Sequence, residues 1–246
     1  WHPHRGIETI TYVLSGTVEH GDNLGNTGQL GAGDVQWMTA GSGILHQEMP
    51  QGNAQGQMHG FQLWANLPSA LKMTAPRYQD VQGKDIPVVI DDDGTTMKII
   101  IGSFWGKTGV VDGIAADPQY LDIFVPAGVK KTFKIDTYRR AFAYVFEGAA
   151  AFSDASAPEG VLLEKEVDGK EVNIRDLSGN RTLIRFGTGD NITVQAGEVG
   201  VRFLLISGAP IQEPVAWHGP IVMNTQAELH QAMDELQNNT FIKPAH

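Results

Sequence analysis

Three imidazoles and a carboxylate stand in two short, matched stretches of this chain. His2-Pro3-His4 opens the sequence, and His46-Gln47-Glu48 follows further on. Successive side chains of a β-strand point to opposite faces, so residues two apart share one face. Each stretch can therefore aim both of its members into one interior. Two imidazoles from one strand, with an imidazole and a carboxylate from another, make a complete donor set for a metal ion: His2, His4, His46 and Glu48. Neutral imidazole and carboxylate suit Fe(II), Mn(II), Co(II), Ni(II), Cu(II) or Zn(II). Cysteine is absent, which excludes disulfides and thiolate sites. Four protein ligands on an octahedral ion leave two positions for substrate and for dioxygen or water. Pro3 fixes its own φ and keeps His2 extended, stiffening the pair before metal arrives.

Isolated histidines are commonly surface or hydrogen-bonded residues, and His20, His59, His218, His230 and His246 are read that way. His59 begins a strand and is also placed as a support behind the ligands. Glu8 is open between a fifth ligand, a hydrogen-bond orienter of a ligating histidine and a plain strand residue; the orienter is favoured. An unbroken first strand would put His2, His4 and Glu8 on the face of Ile10, Tyr12 and Leu14, with an apolar wall behind the metal.

The elements that must position these residues are strands. Residues 8–14 alternate and are rich in β-branched and aromatic types, and the runs VQWM, ILHQEM and 59–68 read the same way. Residues 69–87 read as a loop with YQDV as a short edge, and 95–106 as a strand after the acidic turn Asp91-Asp92-Asp93-Gly94, taken as solvated. From about residue 117 the pattern starts again with YLDIFVPAG, AFAYVFEG, TLIRFGTGDNITVQAG and VRFLLISGAP. Thr225 and Glu228 form a capping box. The apolar spacing of Leu229, Ala232, Met233 and Leu236 then predicts an amphipathic helix over about 226–238 packed on a barrel.

The 246 residues include 29 glycines and 12 prolines, as in all-β proteins with many turns. A net charge of −10 repels phosphate backbones and argues against direct nucleic-acid binding. No run of about 18 apolar residues is present, so no membrane span is expected; the expected location is cytoplasmic. The chain begins with Trp1, close to the site, and an upstream segment is expected.

The two halves share punctuation. Gly148 after AYVFE matches Gly16 after TYVLS, and Gly189-Asp190 matches Gly33-Asp34. From Gly16 to Gly33 is 17 residues and from Gly148 to Gly189 is 41, so the second copy carries a polar insertion around 153–180. The spacing predicts a duplicated β-barrel, with domains 1–115 and 116–246, the helix belonging to the second. In this register His2, His4 and Glu8 correspond to Lys134, Asp136 and Arg140, and His46 and Glu48 to Arg202 and Leu204. One barrel then keeps a metal site and its twin serves as scaffold or partner surface.

At these residues the chain resembles the cupin superfamily, and within it the pirin family. His2, His4, Glu8 and Gly16 follow the first cupin motif; Gly33, Gly43 and His46 follow the second. HPHRGIETITYVL, GDVQWMTAGSGILHQEMP, FQLWANLP and EPVAWHGPIVMNT all look like pirins. Pirins carry further residues and early strands before His-Pro-His, so strands are expected upstream of this chain. The resemblance implies two cupin domains with one metal, usually iron, held in the first by His2, His4, His46 and Glu48. It also implies quercetin 2,3-dioxygenase activity, opening the central ring of a flavonol with loss of carbon monoxide. In that enzyme Glu48 would serve as base toward the flavonol 3-hydroxyl, and Phe61 and Trp64 would wall the substrate cavity. The alternative it implies is a non-enzymatic metal or redox sensor that binds a protein partner.

Overall fold

A computed structural model describes residues 1–111, 115–153, 163–167, 170–173 and 177–243. The chain divides into two compact units, Trp1–Asp85 with Ile211–His246, and Ile86–Pro210. This division departs from a boundary at 115/116 at both ends. The strands Val88–Ile90 and Thr96–Ile101 pair into the sheet that contains Gln119–Val125, so they fold with the second unit. The last segment of the chain, helix included, instead returns to the first.

In the first unit the alternating runs form eight strands: β1 (His2–His4), β2 (Ile7–Ser15), β3 (Thr17–Asp22), β4 (Thr27–Leu30), β5 (Val35–Thr39), β6 (Ile44–Gln51), β7 (His59–Asn66) and β8 (Arg77–Val81). They make two four-stranded sheets, ordered β1-β6-β3-β4 and β7-β2-β5-β8, with antiparallel neighbours. The predicted edge strand YQDV is β8. The sheets pack through Ile7, Met38 and Ile44 at one end and Val13, Val18 and Leu30 at the other.

The first strand is broken, so the condition for His2, His4 and Glu8 to share one face is not met. Gly6 has φ +75°, and a Cβ there would lie 1.9 Å from the carbonyl oxygen of Val222, so this glycine is required. The break sends β1 and β2 to different sheets and reverses the facing of the chain. Ile7 and Val13 pack between the sheets, whereas Glu8, Ile10 and Tyr12 lie on the other face of β2, where they are also buried.

The returning segment supplies a hairpin, Ala216–His218 with Ile221–Met223, followed by α1 (Gln226–Gln237). The helix starts where predicted: the Thr225 hydroxyl accepts from the Glu228 backbone N–H, and the Glu228 side chain accepts from the Thr225 N–H. Leu229 and Ala232 pack on Ala216, Ile221 and Met223 of the hairpin, with Phe241 completing the cluster.

In the second unit a ten-stranded sheet is built, among the described residues, around two long strands, Arg140–Ser153 and Asn191–Gly208. Register shifts near Gly148 bend their pairing. Gly148 has φ +70° and Gly16 has φ +83°, so that matched pair of glycines marks the same kind of left-handed bend in both halves. The interior is apolar, with Phe133, Ile135, Val145, Val201, Phe203 and Leu205 in one cluster. Lys134, Asp136 and Arg140 are exposed and Arg202 pairs with Asp122. The residues aligned with the histidines thus fall one position out of the interior, and the positions that do face it carry apolar side chains. Lys131 bonds Asp91 and Asp93 of the acidic turn. Much of the predicted insertion around 153–180 lies outside the described residues.

Candidate metal centre

β1 and β6 pair with His2 opposite His46 and His4 opposite Ile44. That register draws three imidazoles together: ring centroids are 4.3 Å apart for His2 and His46, 4.9 Å for His4 and His46, and 5.0 Å for His2 and His4. One donor atom from each ring lies within 4.8 Å of the others. His4 and His46 are buried and His2 is half-buried. Nε2 of His4 and both ring nitrogens of His46 are buried without any hydrogen-bond partner. Buried polar atoms are rarely left so, and a cation between the three rings would satisfy them.

The protonation state suits that role. His4 Nδ1 lies 3.3 Å from the carbonyl oxygen of Pro220. A carbonyl only accepts, so Nδ1 carries the proton and Nε2 presents its lone pair. Burial first, then the neighbouring His46 and His2, lowers His4 to about 4; the bond to Pro220 and the charge of Glu48 oppose this only in part. Burial and His2 likewise lower His46 to about 4, against Asp22. Both rings are therefore neutral at neutral pH, as ligands must be.

Glu48 stands outside the group of three. Its Oε1 accepts from the Thr11 hydroxyl at 3.1 Å, and the Gln62 amide nitrogen is 2.8 Å from both carboxylate oxygens. The Gln62 oxygen in turn accepts from the Trp64 indole at 3.0 Å, which fixes the amide with its nitrogen toward Glu48. Glu8, expected to orient a ligating histidine, does not: its carboxylate accepts from Thr39 at 2.7 Å on the other face of β2. Burial pushes its pKa up, against that bond. His59 is exposed, with its ring 5.4 Å from Phe61 rather than beside a ligating ring. A cavity of about 440 Å³ opens beside Glu48, lined by Thr11, Val13, Val18, Met58, Phe61 and Gln62 among others. Phe61 lines this cavity; Trp64 meets the ring of His4 edge-on at 5.2 Å.

Sequence reasoning missed Thr11, Gln62 and Pro220. Thr11 sits opposite Gln62 on paired strands, a register that no local pattern announces. His20 is a hydrogen-bonded histidine, as read, and is buried, with Nδ1 2.8 Å from the Tyr78 hydroxyl and Nε2 3.6 Å from Asp80.

Residues 1–65 match the Pirin domain family and residues 120–242 match the Pirin C-terminal cupin domain. A pirin-like protein of Caulobacter vibrioides is 42% identical over 98% of this chain and 79% of its own length. The chain belongs to the pirin family. Pirin-1 of Arabidopsis thaliana is 39% identical over 96% of the chain and 76% of its own length. Among solved structures, quercetin 2,3-dioxygenase from Acinetobacter baumannii superposes with a TM-score of 0.82 at 32% identity, covering 98% of this chain and 77% of that one. The bacterial pirin YhhW of Escherichia coli, in complex with nickel(II), shares the fold at 23% identity, with a TM-score of 0.59 over 85% of this chain and 75% of that one. The pirin architecture explains the mostly β chain of two cupin-like domains with a helix near its C-terminus. No helix among the described residues is long and apolar enough to cross a membrane.

Proposed function

We propose that this pirin-family chain is a metal-dependent dioxygenase that opens the central ring of a flavonol such as quercetin with O2, releasing carbon monoxide. The observation that carries the reading is the trio of converging imidazoles with buried, unpartnered nitrogens; two residues beyond His46 on the same strand, Glu48 lines a cavity. The likeness to a quercetin 2,3-dioxygenase over nearly the whole chain supports it. His2, His4 and His46 would hold the metal and Glu48 would join them; the family resemblance favours Fe(II). When bound, the metal would lower the pKa of a coordinated hydroxyl and offer a site to O2.

The remaining work falls to the chain's own residues. Glu48 takes the proton of the flavonol 3-hydroxyl on a carboxylate oxygen, and Thr11 and Gln62 hold that carboxylate at the cavity wall. Val13, Val18, Met58 and Phe61 give the aromatic substrate an apolar seat and exclude water from it. The test is anaerobic titration of the metallated protein with quercetin, followed by admission of oxygen. Flavonol-dependent oxygen uptake with release of carbon monoxide is expected, and Glu48→Gln should abolish it while the three histidines retain some metal. Oxygen uptake that stays at the blank rate with every metal of the expected series would refute the enzyme reading and favour a metal-sensing regulator.

A further inference from the structure

The first site strand is clamped from behind by a segment more than two hundred residues away in sequence. The Val222 N–H donates to the Arg5 carbonyl at 3.0 Å, and Arg5 bridges to Ile221. Lys72, itself buried, donates to the carbonyls of Gly6 and Val222, both at 2.8 Å, and to the Asn66 side chain at 2.6 Å. These bonds hold the N–H and the carbonyl of Val222, in the hairpin strand that starts at Ile221, against the chain at Arg5 and Gly6. The residue just before that strand is Pro220, whose ring restricts φ and whose carbonyl takes the His4 Nδ1–H at 3.3 Å. Across the turn, the exposed Trp217 donates its indole N–H to the Gly219 carbonyl at 2.5 Å, bracing the tip.

We propose that this returning hairpin is part of the metal centre, with Pro220 as the positioning residue that holds the His4 ring in the tautomer presenting Nε2 to the ion. The inference rests on the metal-site reading but makes its own demand, visible without metal. A neutral imidazole carries its proton on one nitrogen only, and the partner of that nitrogen decides which one is left to bind metal. His4 has that partner from outside the barrel strands, whereas His46 has none within the barrel. The metal centre is then completed only when the C-terminal segment has docked on the first unit.

The experiment uses the full chain. Long-range 15N–1H correlation spectra of metal-free, 15N-histidine-labelled protein, with His4 assigned through His4→Gln, should give His4 as the Nδ1–H tautomer. Pro220→Gly relaxes the turn, and Trp217→Phe removes the brace without touching the buried core. Each should shift His4 toward a mixture of tautomers and weaken Fe(II) or Zn(II) binding about tenfold by anaerobic calorimetry, at the low end of the 10–100-fold typical for the outer partner of a ligating histidine. If Pro220→Gly does not fold, Trp217→Phe decides. An Nδ1-unprotonated His4 in the parent protein overturns the proposal, as does a lowered melting temperature with unchanged metal affinity and tautomer. Loss of the metal-site reading would look different: replacing His2, His4 and His46 together would leave metal binding as it was, whatever tautomer His4 shows.

Discussion

Arg5 should be among the most costly single side chains to remove in the first unit. It is 1% exposed. Its Nε donates to the Ser42 carbonyl at 2.7 Å, Nη2 to the Phe241 carbonyl at 2.7 Å, and Nη1 meets Glu235 at 2.7 Å. The guanidinium also lies 4.1 Å from the Phe241 ring centroid. Arg5→Met keeps the alkyl stem and loses every donor. Two carbonyls left without their charged donor cost about 1 kcal/mol each at the low end of the usual range. Glu235 keeps Lys243 and Gln231 as partners, so its share is about 2 kcal/mol rather than a full unpaired charge. The total, about 4 kcal/mol, falls within the ~3–5 kcal/mol expected for breaking a buried pair from one side. The assay is urea unfolding followed by tryptophan emission. Trp1, Trp37, Trp64 and Trp217 lie in the first unit and Trp105 in the second, so the signal reports chiefly on the unit concerned. Adding Glu235→Gln should return part of the loss, because the carboxylate no longer needs a cation. A loss below about 1 kcal/mol, on the same scale of buried-pair costs, would refute the claim that Arg5 ties the returning segment to the site strand.

Gly6→Ala should cost about 3 kcal/mol or more in the same unfolding assay, since it combines left-handed backbone strain with a Cβ 1.9 Å from the Val222 carbonyl oxygen; a near-neutral result would mean that the hairpin does not approach there. For Glu235, burial raises the pKa, but bonds from Lys243, Gln231 and Arg5 and the charge of Arg5 outweigh it and hold it at about 2 against an ordinary 4.5. A carboxyl depressed on folding stabilises above its unfolded value, so this contribution is complete above pH 4.5 and is lost as pH falls toward 2. Acid titration of Arg5→Met should show a smaller loss across that window than the parent. Gln62→Leu removes the donor 2.8 Å from both Glu48 oxygens, and with that competitor gone metal affinity by calorimetry should rise roughly fivefold, the equivalent of about one net hydrogen bond; a fall would mean that Gln62 supports Glu48 as a ligand.

The sequence carried the strands, the capped helix and the three histidines, because each follows from local periodicity or from parity within one strand. What it did not carry depended on one glycine. Reading His2 through Leu14 as a single strand gave Glu8 the face of the histidines; the bend at Gly6 reverses that facing and puts Thr11 there instead, bonded to Glu48. Gly6 is followed by Ile7, Thr9, Ile10 and Thr11, β-branched residues that favour extension, and the close approach that leaves no room for a Cβ there comes from Val222, far away in sequence. The division into compact units departs from a boundary at 115/116 for a similar reason. The hydrophobic pattern of 211–242 shows that the segment packs on something, but only long-range bonds from Arg5 and Lys72 determine on what. Gln62 and Pro220 share this dependence: each acts through a register or a turn set by another part of the chain.

Among the described residues, only the first half gathers a set of metal-ligating side chains. Both halves contain a left-handed glycine bend, Gly16 and Gly148, so the strand framework alone does not distinguish them. The difference lies in what faces the interior. In the first unit β3 and β6 place Asp22 opposite His46 and His20 opposite Glu48, a row of polar groups whose burial is unfavourable unless each finds a partner. Asp22 finds one in the 22–26 turn, through the Asn26 backbone and side chain, and His20 in Tyr78. The ring nitrogens of His46 find none. In the second unit the corresponding interior positions hold Phe133, Ile135, Phe203 and Leu205, packed in one apolar cluster, a solution that stabilises the barrel and puts no donor for an ion at those positions. A sequence pressed only toward stability would fill the first barrel in the same way. Keeping unpartnered imidazoles in its interior is a local sacrifice of stability that a ligand would offset, and such sacrifices gather at functional sites.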